Sequence, residues 1–236
     1  RTVLFAGTTR NAGVTTLVAA LCRRFADRGR SLAPFAPLAS APVGATVAPA
    51  VRTQALAARV DPERTLSPVH REPDGSLSLA DEDLGVPSDD RDERWGRARE
   101  AAERAHATLA DRYDLLLAAG TDPLAAGGTD GPPLGSLELA RFADADVVLV
   151  ADASDGGALA SLVGTLDLLP ADVRDRVRAC VLTRVPETDA PALARRVDAV
   201  EARTLVPVAG LVPPLDSGTV EEAARTVDGV TLPFSG

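Results

Sequence analysis

Residues Gly7–Thr16, which read GTTRNAGVTT, form the stretch whose residue types and spacing are best suited to chemistry. They lie between a short apolar run and a segment with helical spacing, which is the context that a phosphate-binding loop requires. Glycines allow backbone N–H groups to converge on an anion, and the N-terminus of the following helix adds its dipole. The hydroxyls of Thr15 and Thr16 are suited either to bind Mg²⁺ or to cap that helix.

This loop departs from the strict pattern G-x-x-x-x-G-K-[ST] at two positions. Gly7 comes one residue early, and Val14 occupies the position of the lysine. A loop lysine offsets negative charge on the β and γ phosphates, and removing such stabilisation typically costs about 3–4 kcal/mol of reaction barrier. Arg10 lies inside the loop, where its guanidinium either contacts phosphate or faces solvent.

The loop therefore predicts a weakened site for ATP and Mg²⁺. We take the whole stretch as the nucleotide-binding set: Gly7, Thr8, Thr9, Arg10, Asn11, Ala12, Gly13, Val14, Thr15 and Thr16.

The elements that must position this loop alternate between apolar strands and helices. Strands are predicted at 2–6, 31–35, 114–118, 146–151, 178–182 and 206–211, and helices at 15–28, 50–60, 95–110, 137–142, 157–169 and 190–203. Such alternation predicts an α/β fold of three layers, a P-loop NTPase-like domain with a mostly parallel sheet flanked by helices.

The predicted domain covers residues 1–216 and includes an acidic excursion, 61–94, that we expect to be solvated rather than part of the core. A C-terminal tail, 217–236, follows and contains one short helical stretch. Cys22 and Cys180 are expected in the core. His70 and His106 are isolated in the sequence, are expected at the surface, and lack the paired spacing of a metal site.

Charge and hydropathy exclude several classes of partner. The 236 residues carry 25 basic and 34 acidic side chains, for a net charge of −9, which disfavours nucleic acid and anionic membrane surfaces. No run of eighteen apolar residues and no signal-peptide pattern is visible, so a cytoplasmic location without membrane association is expected. All 25 basic residues are arginine, a composition typical of a halophilic, salt-adapted proteome or of a high-GC genome.

Several stretches, taken in order, resemble the N-terminal synthetase domain of cobyric acid synthase. This domain belongs with dethiobiotin synthetase and cobyrinic acid diamide synthase, whose loops read roughly G-T-x-S-x-x-G-K-[ST] with the same early glycine. The resemblance extends from Val3 to Asp216 through the stretches RTQALAARVDPE, YDLLLAAG, DVVLVADASDGGALASLVGTLDLL and ARTLVPVAGLVPPLD. The family counterparts are G-R-A-Q-A-L-Q-A, Y-D-L-V-V-V-E-G, V-I-L-V-A-D-I-D-R-G-G-V-F-A-S-L-V-G-T-L and R-T-G-V-P-V-L-G-V-L-P.

The resemblance implies an ATP-dependent, amide-forming ligase of cobalamin biosynthesis. Such an enzyme phosphorylates a carboxylate of a corrinoid acid, and ammonia then displaces the phosphate. The family's glutamine amidotransferase domain does not fit in this length, so the ammonia is expected to come either free or from a separate amidotransferase subunit. A homodimer is also implied. Asp152 matches a carboxylate of the family and, with Thr15, implies a metal site for Mg²⁺.

The chain departs from the family where the chemistry lies. Val14 and Ala36 replace lysines, Ala119 replaces a glutamate, Ser154 replaces an aspartate, and Thr183 replaces the asparagine that would face adenine. Two functions therefore stay open: a catalytically degenerate domain that acts as a scaffold or regulator, and an active ligase. A partitioning-type ATPase is a third, less favoured function, because it too needs a loop lysine.

Three further residues have alternative roles. Asp122, three residues after Ala119, either recovers a contact to Mg²⁺ or is a turn residue before Pro123. Gln54 and Arg52 match a family helix beside the substrate site or lie at the surface.

Overall fold

A six-stranded parallel sheet places the candidate loop near its centre. The computed structural model describes residues 1–80, 82–90, 92–126, 131–186, 188, 190–215 and 219–232. In chain order the described strands are β1 (Thr2–Gly7), β2 (Leu32–Phe35), β3 (Leu38–Ser40), β4 (Val69–Arg71), β5 (Leu77–Ser78), β6 (Asp83–Gly85), β7 (Leu115–Ala119), β8 (Asp146–Asp152), β9 (Val177–Thr183) and β10 (Val208–Leu211). The main sheet has the order β10-β9-β8-β1-β7-β2, and all its pairings are parallel.

Helices cover both faces of this sheet. They are α1 (Val14–Asp27), α2 (Pro49–Ala57), α3 (Glu93–Arg112), α4 (Ser136–Phe142), α5 (Ala158–Leu168), α6 (Ala171–Arg174), α7 (Ala190–Thr204) and α8 (Val220–Thr226), with 3-10 turns at Arg64–Leu66 and Val227–Gly229. The predicted strands and helices of the main sheet are all present, with ends shifted by a few residues.

Alternate residues of β1 divide the core into two halves. Leu4 and Ala6 belong to one apolar cluster with α4 and α5, whereas Val3 and Phe5 belong to a second cluster with α1. Successive strand side chains point to opposite faces, so a strand buried on both sides must be apolar throughout. The predicted three-layer α/β fold is confirmed.

The segment 61–94 differs from the expected solvated excursion. Strands β3 to β6 form a second, four-stranded sheet in which β3 and β4 are parallel and the other pairs are antiparallel. Leu66, Val69 and Leu77 are fully buried, the last two in a small apolar cluster with α3. Each short strand contributes only one or two apolar side chains, which is too few to show a periodic pattern in the sequence.

The described part of the predicted tail packs against the domain. Helix α8 lies on α1, and its start at Thr219 has a complete capping box with Glu222. Arg24 of α1 is buried and donates to the carbonyls of Val227 and Val230 at 2.8 and 2.9 Å. The last turn is thereby fixed to the first helix.

Both cysteines are buried as predicted, whereas the surface prediction for the histidines is wrong for His70. His70 is 1% exposed, with Arg64 and Ser67 at 3.0 and 3.1 Å from its ring nitrogens. Burial and the Arg64 charge lower its pKa to about 4. His106 is partly buried between the rings of Phe35 and Phe142. Within the described ranges, no helix is both long and apolar enough to cross a membrane.

Candidate functional site

The loop between β1 and α1 has the backbone shape of a phosphate cradle. Gly13 precedes α1 at φ 78°, and Asn11 is also left-handed at φ 62°. Gly7 must lack a side chain, because a Cβ there would lie 2.6 Å from the carbonyl oxygen of Thr9. The Thr8 N–H donates to the Val150 carbonyl at 2.8 Å, which ties the loop to β8. The local chain therefore retains an anion-binding conformation.

The side chain at the lysine position belongs to the core. Val14 is 8% exposed and packs in the apolar cluster of α1, so it offers a phosphate neither charge nor a hydrogen-bond donor. Thr15 and Thr16 are exposed, and no side-chain hydrogen bond caps the start of α1. Among the described residues their hydroxyls have no hydrogen-bond partner, which leaves them able to meet a ligand or a cation.

A cavity of about 480 Å³ opens in front of this loop. Its walls come from the loop and the start of α1, from β3 and α2, from the segment after β7, and from Arg184. The lining residues are Gly7, Thr9–Thr16, Ala36, Ala39, Ser40, Ala50, Val51, Gln54, Ala119–Asp122 and Arg184. Of the predicted nucleotide-binding set, only Thr8 lies outside the lining.

Two cationic side chains reach this cavity. Arg10 is exposed, and its guanidinium has no hydrogen bond or ion pair with any other described residue. Arg184, after β9, donates to the Asn11 carbonyl at 2.6 Å and to Asp152 Oδ2 at 2.5 Å. Arg10 is therefore the cation best placed to contact phosphate, whereas Arg184 stabilises the conformation of the loop.

The structure separates the two predicted metal-site residues. Thr15 lines the cavity, but Asp152 does not. The Oδ1 atom of Asp152 accepts from the Ser154 N–H at 2.9 Å, and its Oδ2 pairs with Arg184. Burial acts to raise the pKa of Asp152, but the hydrogen bonds from Ser154 and the Arg184 charge outweigh it, so the pKa lies below its usual value. Both carboxylate oxygens are thus occupied by the protein itself.

Asp122 is the acidic residue in the described lining of the cavity. It lines the cavity, and its Oδ1 accepts from the backbone N–H and the hydroxyl of Ser136 at 2.8 and 3.0 Å. The Thr121 hydroxyl donates to the same oxygen at 3.2 Å. Its Oδ2 is enclosed and has no partner among the described residues. Sequence reasoning considered Asp122 but missed Ser136, which lies fourteen positions away and becomes a neighbour only in the fold.

Gln54 and Thr183 both lie buried near the loop, but only Gln54 lines the cavity. Gln54 is 1% exposed, not at the surface, and its amide Nε2 donates to the Thr15 carbonyl at 3.2 Å. Thr183 does not line the cavity; it is buried, and its hydroxyl donates to the Ala12 carbonyl at 2.7 Å. Ala36 and Ala119 both line the cavity and add no polar side chain to it.

Comparison of the sequence with known protein families finds a match over most of the chain. Residues 1–222 match the family described as AAA domain. The chain belongs to that family. An AAA domain contains a P-loop, and the described cavity opens in front of the corresponding loop of this chain.

Curated relatives of this AAA domain are similar along nearly its whole length. It is 39% identical over 256 aligned residues to a probable cobyric acid synthase of Halobacterium salinarum, covering 99% of this chain and 49% of that protein. The cobyric acid synthase of Moorella thermoacetica is 32% identical, covering 98% of this chain and 47% of that protein. The predicted resemblance is confirmed, and the chain spans about half the length of these relatives.

Solved structures support the fold of the AAA domain alone. Chloroplast FtsY from Physcomitrella patens aligns with a TM-score of 0.53 at 16% identity, covering 97% of this chain and 64% of that one. The signal recognition particle 54 kDa protein of Aeropyrum pernix, a complex with GDP, aligns with a TM-score of 0.50 at 16% identity, covering 96% and 45%.

Proposed function

We propose that this domain binds a nucleotide through its P-loop without turning it over at the rate of a ligase, and that it serves as a scaffold or regulator. One observation carries this proposal: the loop backbone is intact, whereas the side chain at its lysine position is buried in the core. Binding and turnover depend on different parts of such a loop. The backbone donors and helix dipole hold the anion, and the lysine stabilises charge that develops during transfer.

Retained binding is supported by the donors that remain around the cavity. Gly7 and Gly13 permit the backbone to curve, and Arg10 adds a guanidinium at the cavity wall that has no partner among the described residues. A guanidinium forms charge-assisted hydrogen bonds with phosphate, which are roughly twice as strong as neutral ones. The proposed ligand is ATP with Mg²⁺.

Slow turnover is supported by three side chains. Val14 supplies no charge, Ala119 supplies no carboxylate at the end of β7, and Asp152 is paired with Arg184. Each such loss typically slows transfer by a factor of about 10²–10³, although losses within one site need not add.

An active ligase is the second candidate, and the similarity to cobyric acid synthases favours it. In this case the domain phosphorylates a carboxylate of a corrinoid acid, and ammonia from a separate amidotransferase subunit displaces the phosphate. Ser40 and Gln54 line the same cavity as the loop, so a carboxylate side chain of that substrate that enters there would lie beside the nucleotide site. A homodimer, a cytoplasmic location and a salt-adapted source belong to the same proposal.

Calorimetric titration with ATP and Mg²⁺, at low salt and in multimolar KCl, tests nucleotide binding. We expect a Kd of 100 μM or tighter, about −5.5 kcal/mol, in at least one salt condition. Arg10→Ala should weaken binding several-fold. Arg52→Ala is the matched control, because Arg52 is exposed on α2 and does not line the cavity.

The same preparation separates the two candidates. Phosphate release from ATP, with a corrinoid acid and ammonia present, should stay far below one turnover per second. Turnover at the usual enzymatic rate of roughly 10 per second would establish the ligase instead. Absence of binding in both salts would contradict nucleotide binding altogether.

A further inference from the structure

Asp122 has one satisfied and one unsatisfied carboxylate oxygen. Three donors from Thr121 and Ser136 meet Oδ1, at 2.8, 3.0 and 3.2 Å. Oδ2 is enclosed beside the cavity and meets no donor among the described residues. A buried carboxylate oxygen without a partner is costly, so this atom is suited to a ligand that arrives from the cavity.

The backbone around Asp122 is fixed relative to the phosphate loop. The Leu124 N–H donates to the Gly7 carbonyl at 2.9 Å, and the Gly120 N–H donates to the Phe5 carbonyl at 2.8 Å. Gly120 and Leu124, each two positions from Asp122, are thereby attached to β1 and to the first residue of the loop. The carboxylate is held in place before any ligand binds, which lowers the entropy lost on binding.

The chemistry of the surrounding groups favours a hard divalent cation as this ligand. Thr15 and Thr16 bring hydroxyl oxygens to the same cavity. Mg²⁺ prefers oxygen ligands and is usually held by one or two carboxylates together with nucleotide phosphates and water. In the described ranges no three histidine, cysteine or acidic side chains converge into a complete metal site. A cation at Asp122 would therefore arrive with the nucleotide rather than reside in the free protein.

We propose that Asp122, through Oδ2, binds the divalent cation of the nucleotide complex, in a domain whose strand β7 ends in Ala119 without a carboxylate. Asp152 does not take this role, because Arg184 and the Ser154 N–H already occupy its two oxygens. The inference rests on the proposed function, since the nucleotide supplies the remaining ligands of the cation.

The test compares nucleotide affinity with Mg²⁺ and with EDTA in Asp122→Asn and wild type. Asparagine keeps an oxygen for Ser136 but replaces Oδ2 with an amide that cannot bind metal. We expect Mg²⁺ to tighten ATP binding about tenfold in wild type and not at all in Asp122→Asn. Asp155→Asn is the matched control, because Asp155 is exposed after β8 and does not line the cavity. It removes the same charge and should keep the gain.

A measurement on the unmutated protein is independent of how the variant folds. With Fe²⁺ in place of Mg²⁺, added hydrogen peroxide is reduced at the bound iron to hydroxide and hydroxyl radical, ascorbate returns Fe³⁺ to Fe²⁺, and the radicals cut the nearby backbone. We expect ATP-dependent cleavage around residues 120–123.

The outcomes separate this inference from the function on which it rests. If Mg²⁺ still tightens ATP binding in Asp122→Asn, the role of Asp122 is overturned and nucleotide binding stands. Cleavage confined to residues 152–155 has the same meaning. If Asp122 acted by positioning Arg10 instead of binding the cation, Arg10→Ala and Asp122→Asn would weaken ATP binding equally in EDTA. This result would also overturn the inference. Absence of ATP binding in wild type overturns both proposals.

Discussion

Arg184 joins the carbonyl of Asn11, in the phosphate loop, to the carboxylate of Asp152, at the end of β8. Both Asn11 and Arg184 adopt left-handed backbone conformations, at φ 62° and 51°, which are uncommon for residues other than glycine. The hydrogen bond from Arg184 to Asn11 thus couples two left-handed turns, and the loop keeps its shape through a residue 173 positions away in the chain. The ion pair with Asp152 holds the Arg184 side chain in this position.

Loss of this ion pair should loosen the loop at neutral pH. Asp152→Asn is expected to lower the free energy of unfolding by about 1 kcal/mol at pH 7, as for a partly exposed pair. Because the folded-state pKa of Asp152 is lowered, its contribution is present above the unfolded pKa, near 3.9, and is lost as pH falls through the folded value. Urea unfolding of both proteins at pH 7 and pH 2 measures the difference, which should be smaller at the lower pH.

Restoring the missing cation should strengthen phosphate binding. Val14→Lys is expected to tighten ATP binding about tenfold, since a charged hydrogen bond contributes about 1.5–3 kcal/mol and 1.4 kcal/mol is tenfold in affinity. Val14→Met is the control, because it lengthens the side chain without charge and should leave the affinity nearly unchanged. Equal affinities of the two variants in calorimetry would show that position 14 does not face the phosphate.

Gly7 should be intolerant of any side chain. A Cβ at this position meets the Thr9 carbonyl oxygen at 2.6 Å, so Gly7→Ala must displace backbone. We expect a loss of about 2 kcal/mol in unfolding free energy, together with loss of ATP binding. Gly96→Ala, in the interior of α3 with open space around it, should instead gain up to about 1 kcal/mol. Thermal unfolding and ATP calorimetry of Gly7→Ala and Gly96→Ala show whether the losses of stability and binding are specific to the loop.

The buried histidine should make the protein acid-sensitive. The pKa of His70 is about 4 in the folded state against 6.5 ordinarily, so the folded protein binds fewer protons than the unfolded chain between these values. Its stabilising contribution is complete above pH 6.5 and is lost progressively down to pH 4, by about 2–3 kcal/mol. As pH falls from 6.5 to 4, the unfolding free energy of wild type should decrease by this amount more than that of His70→Gln, whose side chain does not titrate. Parallel curves would contradict a neutral, buried His70.

The main sheet and the position of the loop could be predicted from local residue patterns. Strands that are buried on both faces must be apolar throughout, so β1, β7, β8 and β9 are visible as short apolar runs between helical segments. The loop between β1 and α1 is equally local, because its glycines and threonines are adjacent in the chain.

The polar groups that remain available around the loop could not be predicted in this way, because their partners come from distant parts of the chain. Asp152 ends β8 and Asp122 lies three residues after β7, so both carboxylates are placed at the same edge of the main sheet. Arg184, thirty-two positions from Asp152, pairs with its Oδ2 while the Ser154 N–H meets its Oδ1. Ser136, fourteen positions from Asp122, meets only Oδ1 of that carboxylate. Likewise His70 and the strands β4 to β6 are buried by partners from α3 and β3 rather than by their own pattern. Local residue types fix backbone shape, whereas the state of each side chain depends on neighbours that only folding brings near.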